Sequence, residues 1–372
     1  MKCSVNIVIL GKSGAGKSSF CNYFFDLPLH FAAGSGKPVT GWAQNFQSHE
    51  FEMKGFSLKI FDSVGIEPDN WLEWKNRLDT FLSSHNVSDD PGEWIHGFFY
   101  VLNANSARIE DVEIDLIKKL SLQAAPVQII LTNCDAAGEE KASTLVALVA
   151  GKFPDLSVHR VCSVDVRKRG GLSTAAYGRD EVLKTYLQQS EKFLLRRLAV
   201  RSCEKVGRVM GDAGRQLVTR IRASNLSVLN ISEFDLDSMF SLPDFEQQFE
   251  DFNIFKDYLA EFGFDGDQWD EFPRKLEQAI NERMDAFGTE SRAHFDQLGQ
   301  QLEYGSLWEK VSAAAKMGKT AILLKSMIAD TIERGFYAGL EEVAKIKAEY
   351  VSKIEFADRV EMVLSRRIFP LW

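Results

Sequence analysis

Gly11-Lys12-Ser13-Gly14-Ala15-Gly16-Lys17-Ser18 decides how this chain of 372 residues folds. The octapeptide matches G-x-x-x-x-G-K-[ST] and lies between an apolar β-rich run, Ser4–Leu10, and an amphipathic run, Lys17–Phe25. Glycine there lets backbone N–H groups curl around phosphate oxygens without a Cβ clash, and the helix that follows adds the positive end of its dipole. Gly11, Ser13, Gly14, Ala15, Gly16, Lys17, Ser18 and Ser19 are the expected phosphate-binding residues, with Lys17 on the β- and γ-phosphates and the Ser18 hydroxyl on Mg²⁺.

Such a loop is common to GTPases, ATPases and small-molecule kinases, so the motifs downstream must separate them. Asp62-Ser63-Val64-Gly65 closes the apolar run Phe56–Phe61, which places Asp62 to hold Mg²⁺ through water and Gly65 to offer the γ-phosphate a backbone N–H. Gly36-Lys37-Pro38-Val39-Thr40 precedes an edge strand, and Thr40 is the candidate to complete the Mg²⁺ shell and sense the γ-phosphate. After the apolar run Val127–Leu131 come Thr132, Asn133, Cys134 and Asp135. A carboxylate there accepts the paired N–H donors of guanine, a pair adenine lacks, so Asp135 selects GTP over ATP. Ser163 and Val164, in Cys162-Ser163-Val164, are placed to give a backbone N–H to guanine O6. The bland readings of Asp135 as a helix N-cap and of the loop as a Gly-rich turn explain each motif singly, not their order.

Around these motifs the first 180 residues alternate strand-like and helix-like runs. Strands are expected at Ser4–Leu10, Phe46–Met53, Phe56–Phe61, Gly97–Leu102, Val127–Leu131 and Val158–Cys162, with the two-residue turn Lys54-Gly55 making one edge strand antiparallel. Helices are expected at Lys17–Phe25, Trp71–Ser83, Glu110–Leu120, Lys141–Lys152 and from Asp180 onward. Beyond residue 180 the β signal gives way to 3.6-residue periodicity, with Leu187, Leu194, Leu198, Val206, Val209, Ala213, Leu217 and Ile221 along one stripe. Further helices are read at Phe245–Phe262, Phe272–Leu302, Leu307–Ile332 and Phe336–Ile368, with breaks near Ser241-Leu242-Pro243, Gly263–Gly266 and Gly335. The expected organisation is a P-loop α/β domain over 1–180, mostly parallel with one antiparallel edge strand, followed by an all-α helical domain over 181–372.

Composition narrows the function classes. A formal net charge of −9 argues against nucleic acid as a partner of the whole chain. Charge is nevertheless segregated: 181–232 carries 10 basic and 4 acidic residues, whereas 233–303 carries 5 and 19, so opposite sectors are able to meet within or between molecules. No apolar run is long enough to span a bilayer, and five scattered cysteines fit a reducing cytoplasm better than a disulfide framework. Val311–Ala329, with Lys316, Lys319 and Lys325 among apolar residues, suits either a peripheral membrane contact or a buried bundle helix. The 27 phenylalanines, concentrated partly in Phe234–Phe272, are read as helical core. The six histidines have no metal-like spacing.

Taken in order, GKSGAGKS, Thr40, DSVG, TNCD and CSV resemble the five motifs of the TRAFAC class of P-loop GTPases over about residues 1–180. Within it, GKSGAGKSSF, GKPVT and the appended helices are similar to septin, AIG1 (immunity-associated), immunity-related and bacterial dynamin-like GTPases. The resemblance implies GTP/GDP and Mg²⁺ as cofactors and a homodimer or nucleotide-dependent oligomer. Two departures matter: Asn133 stands where the class usually has a lysine packing over the base, and Ile66 follows DSVG where Ras-like enzymes carry the water-orienting glutamine. The resemblance therefore implies slow hydrolysis in the monomer, completed by other groups. Lys17, Ser13, Thr40 and Gly65 are the candidates within the motifs, and Arg77, Arg108 or Lys37 are candidates from the same or a partner chain. Other readings stand beside this one: a GTP/GDP switch with negligible hydrolysis that docks an unknown protein partner, a dynamin-like membrane-associated GTPase, and an ATPase or kinase, which Asp135 and DSVG disfavour.

Overall fold

The computed structural model describes residues 3–27, 31, 46–52, 56–63, 71–86, 88, 90–106, 108–167, 173–224, 260, 267–304 and 320–356. Strand β1 (Cys3–Gly11) is central to a six-stranded sheet. Helix α1 (Lys17–Phe24) follows it, then β2 (Phe46–Glu52), β3 (Phe56–Ser63) and α2 (Trp71–Asn86). Next come β4 (Gly97–Asn103), α3 (Asp111–Ser121), β5 (Val127–Thr132), the short α4 (Cys134–Ala137), α5 (Glu139–Lys152) and β6 (Ser157–Arg160). The order is β2-β3-β1-β4-β5-β6, parallel except that β2 runs antiparallel to β3.

Burial explains the sequence pattern. All of β5 and all of β4 but its last residue are buried, as expected of strands covered on both faces. By contrast β2, at the edge, reads FQSHEFE with exposed Ser48, Glu50 and Glu52. The two-residue strands β7 (Val166–Arg167) and β8 (Ser173–Thr174) pair antiparallel, a hairpin too short to leave a periodic signal. Every expected strand is present, with ends moved by one or two residues.

The chain divides into two compact units, the first taking residues up to Arg197 together with Asp257–Phe264 and Arg359–Trp372, so that one division falls inside helix α6 (Arg179–Ala223). In the first unit, Tyr186 of α6 lies against Phe99, its hydroxyl donates to His96 O at 3.4 Å, and Arg197 stacks on Trp94 at 4.4 Å. The second unit contains the rest of α6, α7 (Asp267–Tyr304) and α8 (Thr320–Phe356). Leu194, Leu198, Val206, Leu217 and Ile221 of the expected stripe are buried, whereas Leu187, Val209 and Ala213 are half-buried.

The expected break at Gly335 is overturned, because α8 runs through it without interruption. A Cβ on Gly335 would lie 1.8 Å from the ring of Phe287 in α7, so the glycine admits a neighbouring aromatic and does not end a helix. Gly214 of α6 repeats the device, since a Cβ there would meet Phe336 of α8 at 3.0 Å. The expected breaks at 241–243 and 263–266 and most of the phenylalanine-rich segment lie outside the described residues. Among the described residues no helix is long and apolar enough to cross a membrane.

Candidate functional site: a phosphate loop at the carboxyl end of the sheet

The loop begins where β1 ends. Gly11 pairs with Val101 of β4, and a Cβ on it would stand 2.3 Å from Val101 O, so only glycine fits. At the other end Gly16, with φ of 90°, is the N-cap of α1, and no side chain hydrogen-bonds there. The first N–H groups of α1 are therefore left for a ligand, in the geometry that favours anions.

Lys17 closes the loop from within. Its side chain is buried, and its Nζ donates to Gly11 O and Lys12 O at 3.1 Å each. Lys12 O also accepts the Ala15 N–H at 3.1 Å. Burial lowers the pKa of Lys17, and the nearby Asp62 carboxylate acts in the opposite direction. Asp62 sits near the end of β3, in register with Ile9 of β1, and is itself buried. Burial pushes its carboxyl up to about 6 despite Lys17, and Oδ1 has no hydrogen-bond partner among the described residues. A buried, unsatisfied carboxylate oxygen next to a phosphate loop is what a Mg²⁺-bound water would satisfy, so Asp62 fits the ion. Among the described residues no cluster of three His, Cys, Asp or Glu offers an alternative metal site.

From the other side, β5 braces the loop. Thr132 is buried, and its hydroxyl lies within hydrogen-bond reach of Ala15 O, at 2.5 Å, and of Leu102 O, at 3.2 Å. Thr132 thus braces the backbone of the loop at Ala15. Asn133 then turns the chain in the left-handed region, φ 55°, into α4. Asp135, half-buried, lies beside the Cys162 thiol, whose pKa is raised first by burial and further by that carboxylate. Cys162 is held by paired backbone hydrogen bonds with Tyr177, at 3.0 and 3.1 Å, so the Cys162–Val164 loop and the start of α4 converge. The Ser163 hydroxyl is buried without a partner among the described residues, and Val164 is 57% exposed.

Ser13 and Gly14 are exposed at the loop's outer rim, Ala15 is buried, and Ser18 and Ser19 are half-buried. Thr40, Gly65, Ile66 and Lys37 lie outside the described residues. Two contributors escaped the motif reading. Asn103, at the end of β4, donates from Nδ2 to Gly14 O at 3.4 Å. Lys12, a variable position of the motif, forms an ion pair with Glu110. Asn103 did carry a signal, being a polar residue ending a buried strand next to the phosphate loop.

A parallel sheet in this order with one antiparallel edge, a phosphate loop after β1 and an acidic strand end at β3 define the fold of a P-loop GTPase domain, here followed by helices. No family model matches the chain, and no curated protein does. Solved structures do. Elongation factor SelB from Methanococcus maripaludis, in complex with the GTP analogue GppNHp, is 13% identical, with 44% of this chain and 31% of that chain covered and a TM-score of 0.30. Toc33 from Arabidopsis thaliana, in complex with Mg²⁺ and GMPPNP, is 16% identical over 43% of this chain and 71% of that one, at a TM-score of 0.31. A dimerization-deficient mutant of Toc33 gives 17% identity, the same coverage and 0.32. This chain thus spans about a third of SelB. Likenesses this low carry no functional weight, and the fold rests on the sheet's own topology.

Proposed function

We propose that the chain is a Mg²⁺-dependent GTP-binding protein that hydrolyses GTP to GDP and phosphate, slowly as a monomer and faster on homodimerisation or assembly. The observation that carries the reading is the burial of Lys17 and Asp62 together beside an uncapped helix N-terminus. Two unlike charges are kept out of water with one carboxylate oxygen unsatisfied, a costly arrangement unless a ligand completes it.

Two of the three Lys17 donors hold the loop, and the third is the one a phosphate oxygen would take. Ser18, Thr40 and Asp62 would hold Mg²⁺, which supplies positive charge against the phosphate oxygens as the terminal phosphoryl group leaves. Asp135 is proposed to accept guanine N1–H and N2–H, and the Cys162–Val164 backbone to meet O6. Ile66 cannot orient water, which supports a low intrinsic rate and assistance from a second copy. This reading keeps the chain with the septin, AIG1, immunity-related and bacterial dynamin-like group. A cytoplasmic location belongs to the same reading, supported by few and scattered cysteines.

Membrane contact is less favoured. Of the three lysines behind it, Lys325 donates to the carbonyls of Arg222 and Ser224, capping the end of α6, and Ile328 and Ala329 are buried. Lys316 and Lys319 lie outside the described residues.

The test is phosphate release from GTP and from ATP across a hundredfold range of protein concentration, with Lys17→Ala as the blank. GTP-selective release whose specific rate rises with concentration is expected. A constant specific rate removes assembly from the reading, GTP binding without release replaces it with a docking switch, and preference for ATP overturns it.

A further inference from the structure

Lys12 follows Gly11 and precedes Ser13, at a position where the phosphate-loop pattern accepts any residue. Its backbone is not free to vary, because the one carbonyl oxygen accepts both the Lys17 ammonium and the Ala15 N–H at 3.1 Å. Anything that fixes Lys12 therefore fixes the acceptor on which the loop closes.

Its side chain is fixed by the start of α3. Glu110 is the N-cap of that helix and Glu113 its third residue, and the two form a reciprocal capping box in which Glu113 Oε2 accepts the Glu110 N–H at 3.0 Å. Lys12 Nζ pairs with Glu110 Oε2 and stands 3.9 Å from Glu113 Oε2, the oxygen already engaged in the box. The Glu113 side chain is only 5% exposed and Lys12 and Glu110 are about a third exposed, so the pair is partly sheltered from solvent. Burial raises the pKa of Glu113, and the Glu110 N–H and then Lys12 oppose that rise. Asn103 adds a second link from the same β4–α3 connection, to Gly14 O.

The geometry points to Lys12 as a positioning residue: anchored to the capping box of α3 through Glu110 and Glu113, it holds the phosphate loop in its closed form and thereby slows release of a bound nucleoside diphosphate. This rests on the nucleotide-binding reading above. It goes beyond that reading by making the first turn of α3 part of the nucleotide's hold, although that turn carries none of the recognised motifs. A group that competes for Glu110 would loosen the loop without touching the nucleotide.

The experiment measures dissociation of N-methylanthraniloyl-GDP from the full chain, chased with excess GDP, in 50 mM and 500 mM NaCl. In low salt, Lys12→Ala and Glu110→Gln are each expected to speed release roughly twofold to fivefold, the range for a partly exposed ion pair. The double variant should be no faster than the faster single one, Lys12→Arg should restore most of the wild-type rate, and high salt should narrow the gap. A merely structural lysine would move the urea midpoint of the nucleotide-free protein and give neither the non-additivity nor the salt effect. Equal rates in all variants, or effects that multiply, overturn the role of Lys12 while leaving nucleotide binding intact. Failure of the wild-type chain to bind the probe, while Lys17→Ala behaves identically, overturns the nucleotide reading and this inference with it.

Discussion

Gly16 and Gly14 both have positive φ, 90° and 74°, but only at Gly16 would a Cβ meet another group, the Thr132 hydroxyl at 3.2 Å. Gly14→Ala should therefore carry only the backbone strain of about 1–2 kcal/mol. Gly16→Ala should add the displacement of Thr132 from Ala15 O, and GTP affinity should fall at least tenfold further, checked by titrating both variants with a fluorescent GTP analogue. Equal losses would mean that the Thr132 contact contributes nothing to the cradle. His96 supports a pH prediction at the same scale. Its ring accepts the Asn6 N–H at 2.9 Å, and burial, with Arg197 nearby, lowers its pKa to about 3 from 6.5. Between those values the unfolded chain holds the additional proton, so stability falls as pH drops through the window and is fully present above 6.5. The limit is roughly 5 kcal/mol at about 1.4 kcal/mol per pK unit. His96→Gln should be less stable at pH 7, with the difference shrinking at pH 4.5 in urea titrations; a constant difference would sink the assignment. Lys17, Asp62 and Asp135 stand out in the sequence because the proposed chemistry needs those side-chain types within recognisable motifs, and the fold sets them at the start of α1, near the end of β3 and inside α4. The link from Lys12 to the cap of α3 and the contact of the Thr132 hydroxyl with Ala15 O do not, because each acts on a carbonyl or on a helix cap, and backbone geometry leaves little trace in residue type.

At the level of elements, a strand buried on both faces shows itself as a nearly continuous apolar run, as in FFYVL at residues 98–102 and VQIIL at residues 127–131, the latter interrupted only by the buried Gln128. The edge strand was legible for a different reason, the two-residue link to β3. The hairpin of β7 and β8 was not, because two residues per strand set no period. Gly335 misled because a glycine that ends a helix and one that admits a neighbouring ring look alike in sequence; only the ring of Phe287 distinguishes them. That ring makes the element testable. Gly335→Ala improves helix propensity by about 1 kcal/mol yet inserts a methyl group where the ring already lies. Net destabilisation of about 1–3 kcal/mol is expected in urea unfolding, with Phe287→Leu recovering part of it in the double variant. Stabilisation by Gly335→Ala alone would instead favour a plain helix interior at that point.

For the molecule as a whole, two compact units share one continuous helix, with the division after Arg197. Each has its own buried set: Phe98, Phe99, Ile129 and Ile130 in the first, Met210, Leu276, Ile328 and Ile332 in the second. The proposed nucleotide site lies wholly in the first. A ligand that binds only the folded form of one unit stabilises that unit by RT ln(1 + [L]/Kd), about 2.7 kcal/mol at a hundred times Kd. Calorimetry of the full chain should therefore show two transitions, with GDP and Mg²⁺ raising only one of them. Gly335→Ala should lower the other, and Lys17→Ala should abolish the shift of the first without moving the second. If both transitions rise together with nucleotide, the shared helix couples the cores into one cooperative block. Binding energy gathered at the phosphate loop would then reach the helical unit directly, and assembly would not need a separate partner to transmit it.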